Sequence, residues 1–149
     1  MYVLRLVWFV LCIPVSNSVG PEIGVVRILI AEDEPSILAS LEFLLRNAGY
    51  EVAVARDGAE ALRLVAAARP HLVVLDVMLP SLSGFEVCRR LRENRDAGDT
   101  RILMLTARGG ESEMQKGVAA GADAYMTKPF STKELLQVVT RLLTEPRGA

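Results

Sequence analysis

The sequence predicts an α/β fold: a doubly wound, five-stranded parallel sheet with helices on both faces. Short apolar runs alternate five times with amphipathic stretches from residue 25 onward, the order typical of strands connected by helices. Most runs are rich in Val, Ile or Leu without polar alternation, as expected of strands buried on both faces of a parallel sheet. The runs cover residues 26–31, 50–55, 72–75, 102–105 and 124–126.

The first two helices are predicted from apolar spacing and from residues that start or end a helix. An apolar stripe marks the first helix, and Gly49 then favours its end. Asp57 and Glu60 form a capping-box-like start for the second. The stripe of the first helix comprises Ile37, Leu41, Leu44, Leu45 and Ala48, and that of the second Leu62 and Val65.

The other three helices are predicted on the same grounds. The third covers residues 84–93, a weaker fourth ends at Gly121, and Ser131 with Glu134 forms a capping box before the fifth. Pro146 follows the end of that last helix. The apolar residues at helical spacing are Val87, Cys88 and Leu91, then Met114, Val118 and Ala119, and finally Leu135, Val138, Val139 and Leu142.

The chain of 149 residues suits one domain with a single core. We expect this domain over residues 25–145, with an apolar extension over residues 1–24, a short tail over 146–149 and no room for an output domain. The apolar run at 6–15 is too short to span a bilayer. It resembles the core of a signal peptide, but we favour an extension from a start assigned too far upstream.

Composition excludes several classes of protein. The chain has 17 basic and 18 acidic residues, without the basic excess typical of nucleic-acid binders. Its cysteines, Cys12 and Cys88, lack metal-site spacing, and His71 is its only histidine. We therefore expect no zinc site, no chemistry that needs a cluster of histidines, and neither nucleic acid nor membrane as a direct partner.

Charged and polar side chains follow four of the five strands, where ligands bind in open α/β sheets. Glu32 and Asp33 follow the first strand, Asp76 the third, Thr106 the fourth and Lys128 the fifth. Three carboxylates in one cleft repel each other unless a proton or a cation intervenes, and Mg²⁺ prefers oxygen ligands. Asp76 is the candidate nucleophile, because carboxylates form acyl phosphates. Each residue alone has a structural explanation, such as a helix-end charge, but their joint occurrence favours phosphoryl transfer.

Residues 27–143 resemble the receiver domain of bacterial two-component response regulators. The segments ILIAEDE, LVVLDVMLPSLSGFE, ILMLTA and GADAYMTKPF carry the resemblance. It implies strand order 2-1-3-4-5 and a phosphoacceptor, Asp76, that takes its phosphoryl group from a sensor histidine kinase or phosphotransfer protein. It also implies that Thr106 and Lys128 contact the phosphoryl oxygens, and that the Lys128–Pro129 bond is cis.

The resemblance further implies a cytoplasmic switch that uses Mg²⁺. The metal ligands would be Glu32, Asp33, Asp76 and the backbone carbonyl of Met78. The family more often has two aspartates at the acidic pair, so Glu32 leaves open which of the two carboxylates contacts the metal.

Tyr125 matches the aromatic switch position, which implies that it turns inward when Thr106 moves toward a phosphorylated site. The fourth helix, fifth strand and fifth helix would then present a changed surface to a downstream effector, or to a second copy in a homodimer.

Two flanking residues bear on the lifetime of the phosphorylated state. Met78 and Arg108 are poor general bases for a hydrolytic water, so we expect a lifetime of minutes to hours. Ala107 is small and keeps the site open to phosphodonors.

Three other functions remain as alternatives. A haloacid-dehalogenase-type phosphatase uses similar residues, but its nucleophile comes first in a D-x-D pair, and Met78 stands where that pair needs an acid. A flavodoxin-like cofactor binder would need a phosphate-binding loop after the first strand, where Glu32 and Asp33 lie. A receiver-like module that is never phosphorylated would not need the complete set of site residues.

Overall fold

Residues 24–147 are described by a computed structural model, in which five strands and five helices alternate. The predicted extension, apart from residue 24, and residues 148–149 of the predicted tail lie outside this range. The strands are β1 (Arg27–Ala31), β2 (Glu51–Ala55), β3 (Leu72–Asp76), β4 (Arg101–Thr106) and β5 (Ala124–Thr127). The α-helices are α1 (Pro35–Asn47), α2 (Gly58–Ala68), α3 (Gly84–Glu93), α4 (Glu111–Ala120) and α5 (Thr132–Thr144). A short 3-10 helix, Arg95–Ala97, was not predicted.

The sheet confirms the predicted order: the strands run β2-β1-β3-β4-β5 and every neighbouring pair is parallel. Burial on both faces was predicted correctly for β1, β3 and β4, whose residues are nearly all buried. The same prediction was wrong for β2 and β5, which contain exposed or half-buried residues. These are the edge strands, each with only one neighbour, so part of their surface stays exposed to water.

Alternate residues of the strands point to opposite faces of the sheet, and each face has its own core. On one face, β-strand residues such as Leu29 and Met104 pack with α2 and α3. On the other, residues such as Ile30 and Leu103 pack with α1 and α5. Helices therefore cover both faces, as predicted. Among residues 24–147, most of the large apolar side chains are removed from water, which is the dominant stabilising term in folding.

The predicted helix ends are largely confirmed. Asp57 accepts a hydrogen bond from the backbone N–H of Glu60, although the Glu60 side chain returns to Arg56 rather than to Asp57. Ser131 and Glu134 form a complete capping box. Among residues 24–147, no helix is both long and apolar enough to cross a membrane.

The predicted apolar stripe of α1 is largely confirmed and that of α4 is wrong. In α1, Leu41 and Leu45 are buried and Ile37 and Leu44 pack partly buried against the same core, but the prediction missed Leu38, which is buried, and included Ala48, which is exposed. In α4, Met114 and Val118 are 52% and 67% exposed. That helix instead packs through Gly117, where a β-carbon would lie only 3.0 Å from the Tyr125 ring.

A cluster of arginines surrounds Asp123 at the amino end of the sheet. The Arg92 guanidinium donates to Asp123 Oδ2 at 2.7 Å and to the carbonyls of Thr100 and Gly121, both at 2.8 Å. The N–H of Ile102 also donates to Asp123 Oδ2, at 2.8 Å. Arg101 and Arg147 approach Oδ1 at 3.7 and 3.4 Å. We call Arg92, Arg101, Asp123 and Arg147 the amino-end cluster.

Candidate functional site

The carboxyl ends of four strands bring the predicted site residues to one edge of the sheet. Glu32 follows β1, Asp76 and Thr106 are the last residues of β3 and β4, and Lys128 follows β5. Carboxylate oxygens of Glu32, Asp33 and Asp76 all lie within 4.8 Å of one another. We call Glu32, Asp33, Asp76 and Lys128 the carboxyl-end cluster.

Lys128 bridges two of these carboxylates. Its Nζ lies 2.8 Å from Glu32 Oε2 and 3.3 Å from Asp76 Oδ2. Glu32 and Asp76 are buried, at 1% and 4% exposure, whereas Asp33 is exposed. The cis Lys128–Pro129 bond is confirmed.

The segment after β3 positions Asp76 through close backbone contacts. The N–H of Met78 donates to Asp76 Oδ1 at 3.2 Å, and the N–H of Gly84 donates to the Val77 carbonyl at 2.9 Å. A β-carbon on Gly84 would lie 2.3 Å from the Asp76 carbonyl oxygen. Only glycine therefore allows the start of α3 to approach Asp76 so closely. The sequence predicts a helix that begins at Gly84, but nothing in the sequence reveals this contact with Asp76.

The charges of the cluster do not balance. Burial and the neighbouring charge of Glu32 raise the pKa of Asp76 to about 6, against the opposing effect of Lys128. Burial alone would lower the pKa of Lys128, but its bonds with Glu32 and its attraction to Asp76 raise it. One ammonium faces three carboxylates, and all the acidic ligand atoms are oxygens. These residues fit a hard divalent cation such as Mg²⁺.

Thr106 and Tyr125 meet at the backbone of Arg108. The Thr106 hydroxyl accepts from the Arg108 N–H at 3.1 Å and contacts the Arg108 carbonyl at 3.3 Å. The Tyr125 hydroxyl donates to the same carbonyl, at 3.4 Å. The two predicted switch residues thus share one acceptor in the loop between β4 and α4, a connection that the sequence did not predict.

A largely apolar cavity of about 490 Å³ adjoins Lys128. It lies between α1 and the segment that joins β5 to α5. Its apolar lining comprises Ile37, Leu41, Leu44, Pro129 and Phe130. Met78, on the β3–α3 loop next to Asp76, is also 71% exposed. An apolar surface therefore lies next to the charged site.

The chain resembles a known family over most of its length. The family model for the response regulator receiver domain matches residues 28–140. A curated relative, response regulator MprA of Mycolicibacterium vanbaalenii, is 51% identical over 118 residues, which are 79% of this chain and 50% of the relative. The chain therefore spans about half the length of the curated relatives it matches.

Solved structures show the same fold. A putative response regulator from Chloroflexus aurantiacus has a TM-score of 0.78 and 38% identity, covering 81% of this chain and 99% of its own. The receiver domain of the Pseudomonas aeruginosa sensor histidine kinase PA1611 has a TM-score of 0.76 and 30% identity, with the same coverage. That second structure has a magnesium ion coordinated in its active site cleft.

Proposed function

Because this chain belongs to the family of response regulator receiver domains, we propose that it is a phosphoryl-accepting switch with Asp76 as its phosphoacceptor. The observation that supports this most strongly is the charge imbalance around Asp76. This buried carboxylate lies 3.3 Å from an ammonium and within 4.8 Å of two other carboxylates. The arrangement suits a nucleophile that works beside a metal ion and accepts an anionic group.

The proposed reaction transfers a phosphoryl group from a phosphohistidine on a sensor histidine kinase or phosphotransfer protein. An Asp76 carboxylate oxygen attacks the phosphorus, and an O–P bond forms as the P–N bond breaks. The electron pair of that bond returns to the imidazole nitrogen, which takes up a proton. Lys128 would neutralise charge on the phosphoryl oxygens, and the Thr106 hydroxyl would donate to one of them.

Mg²⁺ would be held by the three carboxylates of the carboxyl-end cluster and by the backbone carbonyl of Met78. When bound, it would neutralise charge between the carboxylates and the phosphoryl group. Asp33 and Asp76 would contribute carboxylate oxygens, and Glu32 would act at the same site directly or through water. The magnesium ion in the PA1611 receiver domain supports this assignment.

The kinase or phosphotransfer protein would dock on the apolar surface beside the site. The 490 Å³ cavity offers apolar side chains next to Lys128, so a partner helix seated there would bring its phosphohistidine close to Asp76. Such a donor acts in the cytoplasm, and we propose the same location for this chain.

Phosphorylation would be read through α4, β5 and α5. If the Thr106 hydroxyl turns toward the phosphoryl group, it loses its contact with the Arg108 carbonyl. That carbonyl then has one contact fewer, and its hydrogen bond with the Tyr125 hydroxyl would change. The exposed Met114 and Val118 of α4 provide apolar area for a downstream effector or for a second copy of the chain.

The phosphorylated state should last minutes to hours, because neither Met78 nor Arg108 is a good base for a hydrolytic water. Decay of a radiolabelled phosphoryl group measures this lifetime. A half-life of a few seconds without any phosphatase would contradict it.

The proposed function is tested by treating the full chain with acetyl phosphate and measuring its intact mass. We expect a gain of one phosphoryl group with Mg²⁺ and little gain when a chelator removes the metal. Absence of any gain at saturating Mg²⁺ would contradict the proposed function. An equal gain with and without the metal would contradict the proposed role of Mg²⁺.

A further inference from the structure

The loop between β3 and α3, residues 77–83, contacts the first residue of α2. The N–H of Gly58 donates to the Pro80 carbonyl at 3.1 Å, and the N–H of Leu82 donates to the same carbonyl at 2.8 Å. The first N–H groups of an α-helix have no acceptor within their own helix. The loop therefore supplies the acceptor for the first N–H of α2, and α2 in turn fixes the position of Pro80.

The absence of a side chain at Gly58 permits this contact. Gly58 is buried, and a β-carbon there would lie 2.5 Å from the Leu82 carbonyl oxygen and 2.7 Å from Leu82 Cβ. Favourable contact between non-bonded carbon atoms begins at about 3.5 Å. Any larger residue would therefore force the loop and the start of α2 apart by roughly 1 Å.

The backbone of Ser81 indicates that the loop is held firmly at this point. Ser81 lies between Pro80 and Leu82, the two residues that contact Gly58, and its φ is +72°. This left-handed conformation is uncommon for a residue other than glycine, so it persists only where the surrounding structure enforces it. The contacts of Gly58 on both sides of Ser81 provide that constraint.

The connection between β2 and α2 also contacts the segment that follows β1. The N–H of Glu32 donates to the Ala55 carbonyl at 3.1 Å, and Ala55 lies three residues before Gly58. One short connection therefore contacts both the backbone at the acidic pair and the loop that carries Met78. It can fix the distance between these two parts of the proposed site.

We infer that Gly58 is a positioning residue, which fixes the Met78 carbonyl relative to Glu32 by holding the β3–α3 loop. This inference rests on the proposed function, because the Met78 carbonyl is a proposed ligand of Mg²⁺. Pro80 lies two residues after Met78, and the Met78 N–H donates to Asp76 Oδ1. A displacement of the loop at Pro80 would therefore reach both the carbonyl and the phosphoacceptor. Gly58 acts on the site through this loop.

Gly58→Ala tests this role in the ¹⁵N-labelled full chain, with the NMR signal of the Met78 amide as the reporter of added Mg²⁺. The variant should bind Mg²⁺ roughly ten- to a hundredfold more weakly, the usual effect of losing a group that orients a metal ligand. Val65→Ala is the matched control. Val65 is buried on the same helix, so its truncation destabilises the fold without adding an atom near the loop, and Mg²⁺ affinity should stay native. Native affinity in Gly58→Ala, or equal weakening in both variants, would overturn the inference.

Amide hydrogen exchange in the native chain tests the loop contact without a substitution. Relative to its intrinsic rate, the Gly58 amide should exchange roughly tenfold or more slowly than the amide of Glu111, because Glu111 is exposed and α4 begins without a side-chain cap. Equal rates would overturn the inference even if Gly58→Ala does not fold. Failure of acetyl phosphate to add mass to the native chain would contradict the proposed function, whereas the amide exchange rates test the loop contact separately.

Discussion

The charged clusters at the two ends of the sheet differ in how their charges are balanced. In the carboxyl-end cluster, one ammonium faces three carboxylates, and the pKa of Asp76 is raised to about 6. In the amino-end cluster, one carboxylate faces three guanidinium groups, and backbone carbonyls accept further bonds from Arg92. The side chains of the first cluster have a deficit of positive charge. Those of the second have an excess of it, but the Arg92 guanidinium is paired with the Asp123 carboxylate and with two backbone carbonyls.

This is the difference expected between the proposed site of reaction and a region that stabilises the fold. Arg92 joins α3 to the start of β4 and to the segment between α4 and β5, at 13% exposure of its side chain. Removing one member of such a buried network leaves groups without partners. The carboxyl-end cluster carries negative charges that repel one another unless a metal ion or a proton is bound. Removing the charge of one of its carboxylates should therefore stabilise the metal-free protein.

Arg92→Ala should give the largest change in stability. The substitution leaves Asp123 and two carbonyls with fewer partners, and should lower the free energy of unfolding by about 3–5 kcal/mol. Arg89→Ala on the same helix is the matched control: Arg89 pairs with Glu86 and Glu93 at the surface, so little change is expected. Urea unfolding of both variants measures the difference. Equal losses in the free energy of unfolding would show that the hydrogen bonds of Arg92 do not stabilise the fold more than a surface ion pair does.

Asp76→Asn should instead stabilise the metal-free protein at neutral pH. The pKa of Asp76 is raised from 3.8 to about 6, so folding favours the protonated form. Its contribution to stability is complete below pH 3.8 and is lost as the pH rises through about 6. The loss amounts to at most about 3 kcal/mol.

Urea unfolding with a chelator, from pH 4 to pH 7, tests this dependence. The native chain should lose stability relative to Asp76→Asn as the pH rises. If the free energy of unfolding changes with pH equally in the two proteins, burial and neighbouring charges do not disfavour the ionised Asp76 carboxylate.

Gly84→Ala should have a smaller effect on stability. The substitution acts at the carboxyl ends of the strands, next to Asp76. Its β-carbon would lie 2.3 Å from the Asp76 carbonyl oxygen and 2.8 Å from Val77 Cα, so the backbone must shift. We expect a loss of about 1–3 kcal/mol and slower phosphorylation. Gly110→Ala is the control, since nothing lies within 4 Å of its added carbon. Unchanged phosphorylation in Gly84→Ala would show that the close contact does not position Asp76.

Much of the fold and the site was predictable because it depends on local patterns. The buried central strands appear as apolar runs, and Asp76 and Thr106 stand at strand ends because parallel strands place their carboxyl ends on one edge. Exposure of the edge strands was not predictable from composition, since it depends on the number of neighbours. The bond between Glu32 and Lys128 joins residues 96 positions apart, and Arg92 meets Asp123 across 31. Such contacts follow from packing and leave no periodic signal.

The central claim is that Asp76 accepts the phosphoryl group, and it is tested most directly by comparing two aspartate substitutions. After treatment with acetyl phosphate and Mg²⁺, the intact mass of the native chain and of Asp57→Asn should each increase by one phosphoryl group. Asp57 follows β2 and caps α2, a role that asparagine also fills. Asp76→Asn should show no increase. A full increase in Asp76→Asn would contradict the assignment of the phosphoacceptor.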